Sequence, residues 1–329
     1  MASYRDVREQ VVEAYNRLDS RDHTASNDIF HRYGAGNVGQ LIFQPFERLY
    51  YYEEMLEDLR SVDPAKYRAM HKGTPFFFMA WLSFDLRNFE KALLYLDSAI
   101  SEDVKNAPTT WRTLPGVQFL KLADAHNARR TSPELRQALE SEMNRFNAIS
   151  GLRSLTLADW AEFVEQMLDT PQQRTILCTL CVFFYEFRER MRELEIRDGI
   201  NASNHPFYSH LFLGGLLFES LLKQFYQGDT LAPVLNAAKT DFGILPSVQL
   251  KTSAHGTTPF SDIHGSIAGN DVVTAFSITA QIRNTTGHNL NRDQIFDVPS
   301  RYSDLFQQVA NALFYVVSRK YVAATTQTP

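Results

Sequence analysis

Six consecutive residues, Arg283-Asn284-Thr285-Thr286-Gly287-His288, carry side chains that together could break an RNA phosphodiester. RNA supplies its own nucleophile, the 2′-OH. Cleavage then needs a base for that proton, a cation for the charged phosphorane and a proton for the departing 5′-oxygen. Histidine exchanges protons near neutral pH. Arginine is a permanent planar clamp for phosphate oxygens. No metal ion and no cofactor are required, and the expected product ends in a 2′,3′-cyclic phosphate.

Spacing alone does not single this element out. With 24 Arg and 9 His, chance gives about two cases of Arg, four to six residues, then His. Two occur, Arg17–His23 and Arg283–His288. The first runs through the charged stretch Leu18-Asp19-Ser20-Arg21-Asp22, which reads as a helix end entering a loop. The second follows the apolar run Val272-Val273-Thr274-Ala275-Phe276-Ser277-Ile278, and a second apolar helix begins about a dozen residues later. Five residues of ideal helix turn by about 140°, which would point Arg283 and His288 apart. Gly287 is a natural left-handed C-terminal cap and would place His288 just past the helix end.

The elements that must position these residues are helices. Helical periodicity covers Val7–Leu18, Leu41–Arg60, Thr74–Leu86, Phe89–Ser101, Val117–Asp124, Pro133–Phe146, Leu157–Leu168, Gln173–Ile196, Phe207–Gln227, Leu231–Lys239, Asp271–Thr285 and Tyr302–Tyr321. Thr156-Leu157-Ala158-Asp159 is a capping-box-like start. No alternating run bounded by a hairpin turn occurs, so the expected class is all-α. The breaker cluster Arg197–Pro206 predicts a boundary between a helical domain at 1–198 and a second helical domain at 199–329. Gly243–Asn270 reads as a long Ser/Thr/Gly/Pro-rich loop.

From roughly Asn204 to Tyr321 the chain resembles the HEPN superfamily (higher eukaryotes and prokaryotes nucleotide-binding domain). The likeness rests on the opening helix Leu216-Leu217-Phe218-Glu219-Ser220-Leu221-Leu222-Lys223, the Arg283-Asn284-x-x-x-His288 element and the closing helix from Leu305 to Tyr321. It implies an all-α bundle and a metal-independent endoribonuclease. Arg283 and His288 would be the catalytic pair and Asn284 their support. The family pairs two domains so that two motifs share one cleft. One credible copy here implies a homodimer acting on RNA, as in toxins of antiviral defence. Some family toxins continue the motif as His-x-Tyr, where the tyrosine is modified by an antitoxin. Asn289-Leu290 follow His288 here, so that control is absent from the pattern. Glu219 interrupts an apolar face and is expected to pair with Arg283 or a backbone donor.

The remaining signals favour bland readings. The chain has 329 residues, is 44% apolar and 22% charged, and has a net charge of −5 with a pI near 6.0. That composition suits folded domains and argues against bulk coating of nucleic acid. Residues 1–199 carry 25 basic against 30 acidic residues, whereas 200–329 carry 8 of each. RNA capture would then need a local pocket, a dimer or a partner protein. Cys178 and Cys181 sit in a uniformly apolar run and read as core. Gly34-Ala35-Gly36-Asn37-Val38-Gly39 matches the Gly-x-Gly-x-x-Gly dinucleotide-binding pattern, but the stretch before it is a poor strand and no βαβ alternation follows, so it reads as a connector. His205 and His210 read as surface or capping residues, and His255 and His264 as loop residues without further metal ligands.

Phe84–Ala92 with Tyr95 and Ala99 resembles one tetratricopeptide repeat without a second copy. In the nuclease reading the domain at 1–198 recognises a regulatory protein partner or holds the active half in check; the hairpin supports the competing expectation, a non-catalytic, all-helical interaction module whose working surface it would be and whose C-terminal bundle only dimerises. No apolar h-region opens the chain and no run is long enough to span a bilayer, which predicts a cytoplasmic protein.

Overall fold

Among the described residues every regular element is helical and no strand occurs. The computed structural model describes residues 3–19, 21–34, 44–122, 131–197, 200, 203–245, 247–253, 258–286 and 298–322. The chain divides into two compact units, Met1–Ser132 and Pro133–Pro329.

In the first unit, α1 (Tyr4–Arg17) and α2 (His23–Arg32) pack with α3 (Pro45–Val62) around Val11, Tyr15, Phe30, Tyr51, Met55 and Leu59. Their buried hydroxyls find partners, as buried polar groups must: Tyr4 donates to Asp58 at 2.7 Å and Tyr15 to the Asp63 carbonyl at 2.9 Å. After the short α4 (Pro64–Ala69), α5 (Gly73–Asp85) and α6 (Phe89–Asn106) form a hairpin. Arg87 adopts a left-handed turn conformation (φ 56°) and Asn88 caps α6 through the Lys91 N–H at 3.0 Å. Ala92 and Ala99 are buried in this hairpin. A 3-10 turn (Trp111–Thr113) and α7 (Pro115–Leu120) complete the unit. Gly34 ends α2 where a Cβ would strike the Phe30 carbonyl and the Tyr52 hydroxyl, so its role is close packing; positions 35–39 of the glycine motif lie outside the described residues.

The second unit holds α8 (Thr131–Ser150), α9 (Leu157–Gln166), α10 (Pro171–Ile196), α11 (His205–Lys223), α12 (Leu231–Asp241), α13 (Phe260–Gly265), α14 (Val272–Thr286), α15 (Pro299–Val317) and a terminal π-helical turn, Ser318–Val322. Thr156 and Asp159 form the expected capping box of α9. Helix α15 is buried along nearly its whole length, with α10, α11 and α14 packed on it. Phe187 stacks on Phe306 at 3.7 Å and Phe184 on Phe314 at 4.7 Å.

That aromatic ridge ties α10 to α15, so the observed division falls after Ser132 and not at 198/199. The breaker cluster after α10 joins two helices of one unit. The expected 28-residue loop also contains structure. Phe260 and Ile263 of α13 are buried, Phe260 against Tyr208 at 4.9 Å, and Gln308 holds the Gly269 carbonyl at 3.2 Å. Cys181 is buried, its thiol pushed up to about 12 by burial, as suits a core residue. No helix among the described residues is long and apolar enough to cross a membrane.

Candidate functional site

Helices α11 and α14 meet at a glycine. A Cβ on Gly215 would stand 2.9 Å from Arg283 Cβ and 3.1 Å from its Cα. Gly214, one residue earlier, makes similar room for Phe183 and Val309. This pair, set in an otherwise apolar helix, lets the last turn of α14 lie directly on α11.

Arg283 is consequently laid along α11 between two residues seven apart on the same face, Phe212 and Glu219. Its Nε donates to Glu219 Oε2 at 2.7 Å, and its Cζ lies 5.9 Å from the Phe212 ring centre. The other Glu219 oxygen, Oε1, is 2.7 Å from Lys223 Nζ, one helical turn on. The expected pairing of Glu219 with Arg283 is present. Burial alone would raise the Glu219 pKa, but the hydrogen bonds and charges of Lys223 and Arg283 outweigh it and hold the carboxyl below its ordinary value. Two cations on one carboxylate leave a local charge of +1. Glu219 is buried, whereas the Arg283 side chain is 27% exposed. Among the described residues no acceptor is hydrogen-bonded to its Nη atoms.

Asn284 points elsewhere. Its side-chain amide donates to the Thr252 carbonyl. The Lys251 N–H donates to Ser277 Oγ at 3.2 Å, two turns back on α14. Segment 251–252 is therefore stitched along α14 next to Arg283. His288 and Gly287 lie outside the described residues, as does His255. Arg283 and Glu219 are brought to one corner, Asn284 is turned to Thr252 instead, and α14 ends at Thr286, directly before Gly287.

Lys223, Phe212 and Gly215 belong to this corner and escaped the sequence reading. The Glu219–Lys223 spacing of four and the Gly-Gly step were the available signals. Other histidines among the described residues have structural partners. His210, expected in a surface or capping role, is buried between α10 and α15. Its Nε2–H donates to the Phe183 carbonyl at 2.8 Å, its Nδ1 accepts from Tyr302 Oη at 2.6 Å, and its ring stacks on Phe183 at 4.7 Å. Burial lowers its pKa to about 3, against the pull of the Phe183 carbonyl, so it is a neutral core residue. His264 lies on α13 with Nε2 2.9 Å from Asp304 Oδ2. In the first unit, His71 sits between Asn27 Oδ1 at 3.2 Å and Asp103 Oδ1 at 3.1 Å, holding the start of α5 to the end of α6.

Comparison with protein-family models, curated proteins and solved structures finds no match to this chain.

Proposed function

We propose that the C-terminal helices form a metal-independent endoribonuclease, active as a homodimer, with Arg283 as phosphate clamp, His288 as proton shuttle and Asn284 as support. The observation that carries this reading is the seating of Arg283. Glu219 takes the Nε edge and the Phe212 ring lies against the guanidinium, so the Nη edge is preoriented before any anion arrives. The local +1 charge suits one phosphate, although residues 200–329 as a whole carry no net charge. Paired copies would supply two histidines to one cleft. One takes the 2′-OH proton as the 2′-oxygen bonds to phosphorus. The other protonates the 5′-oxygen as its bond to phosphorus breaks. Asn284, by holding segment 251–252 on α14, would fix the loop that borders this cleft. A role in prokaryotic defence rests on the resemblance of the motif alone.

The test is incubation of the full chain with mixed RNA in EDTA. Cleavage leaving 2′,3′-cyclic phosphate ends is expected, with Arg283→Ala and His288→Ala each losing a hundredfold or more, on the order of other lost charge-stabilising groups. The competing reading makes the bundle a non-catalytic interaction module. The Glu219–Arg283 pair favours it to the extent that this pair fastens α11 to α14 by itself. Intact RNA across ionic strengths, with Arg283→Ala altering only stability, would establish that reading.

A further inference from the structure

The ends of α11 and α12 and the π-helical turn converge on a second cationic site, unrelated to Arg283. Lys320 Nζ lies 4.8 Å from the ring centre of Tyr226, 5.2 Å from Phe225 and 5.8 Å from Phe242. Asp241 pairs with the same ammonium and also accepts the Tyr226 hydroxyl. These two hydrogen bonds hold the Asp241 carboxyl below its ordinary value, so it is ionised at neutral pH. Three π faces and one carboxylate around a single nitrogen form the environment that selects alkylated ammonium groups.

The helix end is shaped to fill it. A π turn carries more residues per turn than an α turn and interrupts the α register at Ser318–Val322. In this register Tyr321 enters the core, 4.9 Å from Phe163 and 5.1 Å from Phe225, while Lys320 reaches the cage. The cage is not sealed: Phe225 is 42% exposed and the Lys320 side chain 19%.

We propose that Phe225, Tyr226, Phe242 and Asp241 form a receptor for an alkylammonium group, which this chain fills with its own Lys320. The C-terminal turn is thereby latched by a ligand-like contact that a free ammonium competes for. The proposal stands independently of ribonuclease activity.

Two measurements on the full chain test it. In wild-type protein with carbon-13-labelled lysine, one ε-methylene signal is expected upfield of the rest from the three ring currents. It should move toward the common position as tetramethylammonium chloride, but not sodium chloride, is added. No upfield signal, or equal response to both salts, overturns the proposal. Amide exchange then reads the latch. Lys320→Met keeps length but removes charge, and amides of 318–322 should exchange about tenfold faster while those of α14 do not change. Tetramethylammonium should restore protection in Lys320→Ala, and less so once Asp241→Asn is added. Unchanged exchange in Lys320→Met, or no restoration beyond that by sodium chloride, also overturns it.

Discussion

Glu219 on α11 grips Arg283 on α14 through a 2.7 Å Nε–Oε2 bond while its second oxygen binds Lys223. Removing the charge but keeping the shape isolates that grip. Glu219→Gln should lose about 1–3 kcal/mol of stability at pH 7, because a buried acceptor of two cations becomes a neutral amide. The pH dependence has a definite sign. A carboxyl whose folded pKa is depressed stabilises above its unfolded value and loses that contribution as pH falls through the folded one. The wild-type advantage over Glu219→Gln should therefore shrink below about pH 4.3. Denaturant melts of both proteins at pH 7, 5 and 3 measure this. Equal stability at pH 7 would mean that the grip contributes nothing.

Gly215 sets how closely α14 approaches. Alanine is the better helix former by about 1 kcal/mol, so propensity predicts stabilisation by Gly215→Ala. Sterics predict the reverse, since the new Cβ would meet Arg283 Cβ at 2.9 Å and its backbone N at 3.2 Å. Backbone cannot swing aside, and overpacking of this kind costs about 1–3 kcal/mol. Net destabilisation is expected, with displacement of Arg283. Gly265→Ala is the control, because nothing lies within 4 Å of a Cβ there. Thermal melts in which Gly215→Ala matched Gly265→Ala would show that the helices have room to spare.

His210 makes the second unit acid-sensitive. Its folded pKa is lowered to about 3 by burial, against 6.5 for the free side chain. Between those values the unfolded chain binds a proton there and the native one does not. Stability from this group is thus complete above the upper value and falls on acidification, by up to about 1.4 kcal/mol per pH unit. His210→Phe removes the titration together with the hydrogen bonds to the Phe183 carbonyl and the Tyr302 hydroxyl, at a cost of about 1–3 kcal/mol at pH 7. Unfolding free energies at pH 7, 6 and 5 should show a shallower slope in the variant. Parallel slopes would place the proton elsewhere.

Local pattern made much of this protein legible. The all-α class follows from apolar residues at helical spacing, and that spacing locates α5, α9, α12 and α14 to within two residues at each end, and the start but not the end of α6. The Thr156–Asp159 box, the Phe84–Phe89 hairpin and the burial of Cys181 are also contacts among near neighbours. Glu219 as a partner for Arg283 was readable because a carboxylate in an apolar stripe needs a cation. Helix α13 was not, since six residues are too few to show a period.

What the amino-acid order decided alone was everything governed by neighbours within one or two helical turns: helix starts, caps, apolar faces and the Arg283–His288 spacing. What only the tertiary structure decided rests on partners far along the chain. Arg197–Pro206 reads as a domain boundary, whereas the stacking of Phe187 on Phe306 ties the helix before it into the second unit. His210 is polar by type, and only Phe183 and Tyr302, 27 and 92 residues away, make its burial affordable. The cage around Lys320 joins the ends of three helices, and Gly215 matters because Arg283 lies on it. Periodicity reports which face of a helix is apolar; it carries no information about which distant surface will cover that face.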